Sequence, residues 1–194
     1  LVDTIGVNGL SLVFAPSSRV LSESGAVVEY LLERGDTDRY RIYSPSYSLP
    51  QQVAAVNGFE LADGVNPMQL AAYARFMEQA SGVPSRGYSV TIPPYGTGDP
   101  AVDNQNSLPN PEKLGMLNVK YVVSAFPLEE NRLVQVARFS DIWVYENRSV
   151  LPKAWVQMEG AADEKDAGAV ASISHRPGRI EVKAEGPGML TLSE

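Results

Sequence analysis

Six of the chain's fourteen prolines fall between residues 83 and 111, mixed with glycine, asparagine and serine, and no long helix or central strand can run through them. Proline fixes φ and lacks the N–H that a helix or an inner strand needs, so a fold for this chain is assembled from elements on either side of a long connection. That connection is either a binding loop or a proline-stiffened surface excursion that touches nothing. As a binding loop its contact residues would be Tyr88, Tyr95, Asp99, Asp103 and Asn104.

On its N-terminal side, Ser24 followed by Val27, Val28, Leu31 and Leu32, with Gly35 after the last apolar position, predicts a short amphipathic helix. Tyr40 to Ser44 alternates, with Tyr40, Ile42 and Ser44 on one face and Arg41 and Tyr43 on the other, which predicts a strand. Asn66-Pro67 reads as a cap with proline at the first helical position, and Gly82 as the stop. Between them Leu70, Tyr73, Ala74 and Met77 form an inward stripe, while Gln69, Arg75, Glu78 and Gln79 face water. The same stripe could line a pocket.

On the C-terminal side, Asn110-Pro111 starts a short helix that ends at Asn118, and Val119 to Ser124 follows as a strand. Leu133 to Phe139 and Ile142 to Glu146 form a hairpin about Ser140-Asp141, and Ala154 to Met158 is expected as a strand at its edge after Pro152. Glu159 to Asp166 reads as an acidic linker leading to a weak helix over 167–173. Ile180 to Ala184 and Met189 to Leu192 then begin an all-β unit too small to stand alone. The expected organisation is a membrane-proximal lead-in over 1–23, an α+β domain with a mixed sheet and packed helices over 24–158, and a truncated β-sandwich-like unit over 159–194. Leu1 is not methionine, no leader precedes it, and the last strand has no closing partner. The chain reads as cut from a longer protein, the alternative being a mature protein with a terminal edge strand.

The composition excludes several kinds of chemistry. With 16 basic and 23 acidic residues the net charge is -7, the wrong sign for nucleic acid or anionic lipid. There is no cysteine and one histidine, His175, so disulfides, thiolate nucleophiles and histidine-rich metal sites are out; carboxylate sites for hard cations stay open, though neither a metal nor a cofactor is expected. No phosphate loop, dinucleotide fingerprint or nucleophile elbow occurs. Glu60, Asp63, Asp99 and Asp103 are the carboxylates nearest turns, and a glycosidase would need two of them across a scissile bond; acids in such places more commonly cap turns. Trp143 and Tyr145 share one face of their strand and, with Trp155, would offer rings to the C–H face of a sugar, unless they are core. Asn147-Arg148-Ser149 matches the N-glycosylation pattern.

Several segments, in order, resemble bacterial polytopic membrane proteins of the YfhO type. Tyr40-Arg41-Ile42-Tyr43-Ser44, Asn57-Gly58 and Asp63-Gly64-Val65-Asn66-Pro67-Met68-Gln69-Leu70 with Tyr73 follow that family's sequence, and Leu114-Gly115-Met116-Leu117-Asn118-Val119-Lys120-Tyr121-Val122-Val123 is similar to its LLG..NVKYVV signature. Val144-Tyr145-Glu146-Asn147 with Leu151-Pro152-Lys153-Ala154-Trp155-Val156 is similar to YEN...LPRAW, Lys153 standing where arginine is usual. Pro177-Gly178-Arg179-Ile180 and residues 186–194 resemble the start of its C-terminal β-sandwich, and the chain ends before the YYPGW element. The resemblance implies an extracytoplasmic domain flanked by membrane helices in a protein of the lipid-linked-sugar glycosyltransferase class. It places the chemistry in loops outside this chain and transfers no catalytic residue. The expected partners are the membrane-spanning remainder of its own chain and a glycan or lipid-linked sugar, with no nucleic acid. The competing readings are a carbohydrate- or protein-binding module and a self-contained hydrolase.

Overall fold

The computed structural model describes residues 24–35, 40–85, 87–157, 167–168, 172–176, 179–184 and 188–193. The lead-in over 1–23 and the acidic linker therefore lie outside the described residues. In chain order the elements are α1 (Gly25–Glu33), β1 (Arg41–Tyr43), α2 (Gln51–Val56), β2 (Glu60–Leu61), β3 (Gly64–Val65), α3 (Ala71–Ser81), β4 (Thr91–Ile92), α4 (Pro100–Asp103), α5 (Pro111–Met116), β5 (Val119–Ser124), β6 (Leu133–Phe139), β7 (Ile142–Asn147), β8 (Ala154–Gln157), β9 (Ala167–Gly168), β10 (Ser172–Arg176), β11 (Arg179–Lys183) and β12 (Met189–Leu192).

Alternation in β1 explains the layering. Tyr40 and Ile42 enter one apolar cluster with Val27, Leu31 and Val53 from α1 and α2, whereas Tyr43 enters a second with Met77 from α3 and Leu114 from α5. A strand with two buried faces needs helices on both. The sheet between the clusters has the order β2-β1-β5-β7-β6, parallel across β2, β1 and β5 and antiparallel from β5 to β6, so the chain is α+β with a mixed sheet. Met77 at 1% and Leu114 at 0% exposure anchor the second cluster, each worth about 1.5–3 kcal/mol by burial.

Local signals decide several boundaries. Asn110 caps α5 by accepting the Lys113 N–H at 3.0 Å, with Pro111 at the first position. Gly82 ends α3 in the left-handed region at φ 70. A Cβ there would also lie 2.5 Å from the Leu108 carbonyl oxygen. The start of α3 departs from expectation. Asn66 spends its side-chain oxygen on the Met68 N–H, 2.9 Å away, forming a turn, and the helix begins only at Ala71 with Leu70 as its cap. The long connection carries structure too, since β4 pairs with β3 and α4 follows.

The C-terminal strands also pair differently from the sequence expectation. β8 does not extend the β6–β7 hairpin; it lies between β12 and β9 in a separate three-stranded sheet, Pro152 having no N–H with which to continue the earlier pairing. The weak helix over 167–173 is replaced by β9 and the start of β10, residues 169–171 being outside the described set. β11 pairs with β10 and not with β12.

The segments 114–123 and 144–156 lock onto each other. A Cβ on Gly115 would sit 2.0 Å from the Ser149 carbonyl oxygen, the Leu151 N–H donates to Gly115 O at 3.1 Å, and Asn118, at φ 61, donates its Nδ2 to Leu151 O at 2.7 Å. Asn147 is 1% exposed and donates to both Pro111 O and Val119 O, at 2.9 and 3.0 Å. Its amide is therefore a joint of the fold and is not open to glycosylation.

Candidate functional site

Parallel strands end side by side, so the residues just past β1 and β2 meet at one edge of the sheet. Past β1 the Ser44 N–H donates to Asp63 Oδ1 at 2.7 Å, and the Ser44 hydroxyl is spent on Val123 O at 2.8 Å. Asp63 is 7% exposed, and its Oδ2 is buried without a hydrogen-bond partner. Burial pushes the Asp63 carboxyl up to about 8 against the pull of the Ser44 N–H, so at neutral pH it is mostly an uncharged acid. Three tyrosines surround it. Burial raises Tyr43, Tyr47 and Tyr73 above the usual phenol range, Tyr73 to about 12, and negative charge on Asp63 would push each further.

Asp63 lines a cleft of about 300 Å³ with Gln51, Gln69 and Tyr73, against apolar walls from Leu61 and Ile92. The Gln69 Nε2 is buried without a partner, and Gln51 is placed by its Oε1, which accepts the Val65 N–H at 3.2 Å. Tyr73 donates its hydroxyl to Ala62 O at 2.6 Å, which pins the ring against β2. The rim is apolar and open to solvent: Met68 is 86% exposed, Leu70 75% and Val65 51%.

A second cleft of about 380 Å³ shares Leu61 and Tyr73 with the first and adds Arg41, Phe76, Met116 and Trp155. Arg41 is held in place there by Glu60 at 3.4 Å and by the Leu117 and Ser193 carbonyls. Lys153 also reaches Glu60, from a buried position. A third cleft of about 240 Å³ lies on the other side of Gln69 and Ile92, along α3, with Glu78 and Tyr88 in its wall.

The loop residues named from sequence mostly hold the loop. Asp99 caps α4, accepting from the Ala101 and Val102 N–H groups at 3.0 and 3.4 Å. Asp103 accepts from the Gly96 and Thr97 N–H groups, both at 2.8 Å, and from the Thr97 hydroxyl at 3.0 Å. Asn104 is buried on Pro45 O. Tyr95 packs edge-on against Tyr47, with ring centroids 5.4 Å apart. Tyr88 is exposed and donates to Pro67 O at 2.7 Å.

Trp143 and Tyr145 do share a sheet face, in the second apolar cluster. Tyr145 is core, its hydroxyl accepting the Leu128 N–H at 2.9 Å, and Trp143 is half-buried beneath the Arg138 guanidinium, 4.5 Å from the ring centre. Trp155 belongs to the other sheet and lines the second cleft. The three rings are not gathered into one platform.

Asp63 could be weighed from sequence only as a turn acid, because β2 is two residues long and leaves no periodicity to mark a strand end. Gln51 carried no signal, and Gln69, expected from the helical pattern to face water, instead precedes α3 and has its Nε2 buried. Among the described residues no group of three or more His, Cys, Asp or Glu side chains is placed to hold a metal ion, and no helix is long and apolar enough to cross a membrane. Comparison with known protein families, curated proteins and solved structures finds no match to this chain.

Proposed function

We propose that this chain is a non-catalytic, glycan-positioning domain on the extracytoplasmic face of a membrane-embedded glycosyltransferase-like protein. One observation supports glycan holding above the other readings: the first cleft offers a buried neutral carboxyl and three carboxamides, Gln51, Asn66 and Gln69, beside an aromatic ring. That is hydrogen-bonding capacity without charge, suited to hydroxyl and ether oxygens. Asp63 is the one carboxyl among the residues lining that cleft. Glycoside hydrolysis by the usual route needs two, so the cleft is suited to holding a sugar and not to cleaving it. The membrane context rests on the order of the family-like segments, and Lys153, for all its burial against Glu60, takes the place of that family's arginine without a recognised role in binding.

The test uses the purified chain and a glycan panel, read by tryptophan fluorescence and by release of reducing ends. Binding without turnover, weakened in Gln69→Ala, is the expected outcome. Turnover that survives purification and disappears in Asp63→Asn would instead make the chain a hydrolase. The membrane context is checked in the genomic reading frame, where multi-spanning apolar segments are expected beside the region encoding this chain. Their absence overturns it.

The exposed lip of Met68, Leu70 and Tyr88 favours a second reading, a protein-binding module, because contiguous exposed apolar surface commonly marks protein contacts. Retention of glycan binding after Met68→Ser and Leu70→Ser separates the two.

A further inference from the structure

We propose that the first and second clefts are subsites of a single groove, and that this groove holds a linear oligosaccharide of two or more units. The inference rests on the glycan reading above and adds the length of the ligand. Leu61 and Tyr73 line both clefts, so the clefts adjoin at these two residues. The Tyr73 hydroxyl, tied to Ala62 O at 2.6 Å, keeps the ring at that border.

The two ends of the groove differ in chemistry. The first presents Gln51, Gln69 and Asp63, groups that hydrogen-bond to sugar oxygens. The second presents Phe76, and with Tyr73 at the border it offers apolar ring surface to the C–H faces of a pyranose, while Trp155, 4% exposed, only backs it from the core. The cation lining the second cleft, Arg41, is held by Glu60 at 3.4 Å, a carboxylate it shares with Lys153. At about 300 and 380 Å³ the two clefts together fall well inside the roughly 300–1,000 Å³ range of ligand sites.

Isothermal titration with linear homo-oligosaccharides of glucose, mannose and N-acetylglucosamine, from one to six units, tests the groove. Affinity should rise at least about tenfold between one unit and the longer chains at one-to-one stoichiometry, as expected when a second subsite is engaged by the same molecule. Phe76→Ala should remove the gain with length, while Gln69→Ala should weaken every length. Phe76→Leu keeps the apolar packing of α3 and removes only the ring, and gives the same readout should the alanine variant lose its fold. Equal affinity for one and six units, or two short sugars bound per chain with no gain from length, overturns the groove and leaves the glycan reading standing. If no saccharide of any length binds, the glycan reading falls and this inference with it.

Discussion

Asp63→Asn should make the protein more stable at alkaline pH by removing a carboxyl that the fold is forced to keep protonated. The unfolded chain titrates this group near 3.8 and the folded chain near 8. At about 1.4 kcal/mol per pK unit the difference amounts to roughly 6 kcal/mol, an order-of-magnitude figure. Between those two values the unfolded state has released the proton and the folded state still holds it, so stability falls as pH rises across the window. The group's contribution is fully present below about pH 4 and fully lost above about pH 8. Asparagine keeps an oxygen for the Ser44 N–H, which donates at 2.7 Å, and does not titrate. Urea unfolding of both proteins from about pH 4 to pH 9, followed by tryptophan fluorescence, isolates the effect, since every other titrating group cancels in the difference. The variant's advantage should grow by about 1.4 kcal/mol per pH unit through the window and level off above it. Parallel stability curves across the whole range would refute the argument, because they would mean that Asp63 ionises as readily in the folded protein as in water.

The junction between segments 114–123 and 144–156 gives sharper structural tests. Asn147→Ala leaves the buried Pro111 and Val119 carbonyls without their donor, and should lower unfolding stability by about 2–4 kcal/mol in urea titration. In a glycosylating host, mass spectrometry of the wild-type chain should find Asn147 unmodified. Gly115→Ala forces a methyl group against the Ser149 carbonyl and should cost about 1–3 kcal/mol, read as a fall in Tm of several degrees. Asp103→Ala frees the Gly96 and Thr97 N–H groups and should speed proteolysis within the loop while leaving any glycan affinity unchanged, a result that separates loop anchoring from ligand contact.

Much of the fold was legible because its signals are local. Asn110-Pro111 and Gly82 set helix ends through contacts with their own neighbours, and the alternation at Tyr40 to Tyr43 and Trp143 to Tyr145 sorts side chains to the two sheet faces whatever the rest of the chain does. Asn66-Pro67 misled because asparagine followed by proline serves a turn as well as a helix start, and only the surrounding chain chooses between them. The partner of β8 was illegible for a related reason. A four-residue run of Ala154, Trp155, Val156 and Gln157 fits any open strand edge, and the pairing with β12 joins residues more than thirty positions away.

The sequence by itself determined the class of the protein: an acidic, cysteine-free α+β chain with no motif for nucleotide, thiolate or histidine-metal chemistry. Only the tertiary structure decided that Asp63, and not the acids of the proline-rich loop, belongs to the cleft. It did so by setting Asp63 beside Ser44, nineteen residues earlier, and beneath tyrosines from β1, its following turn and α3. Helix caps and alternation act over a few residues and are written into neighbouring positions, whereas the protonation of a carboxyl depends on how much water the whole fold removes from it.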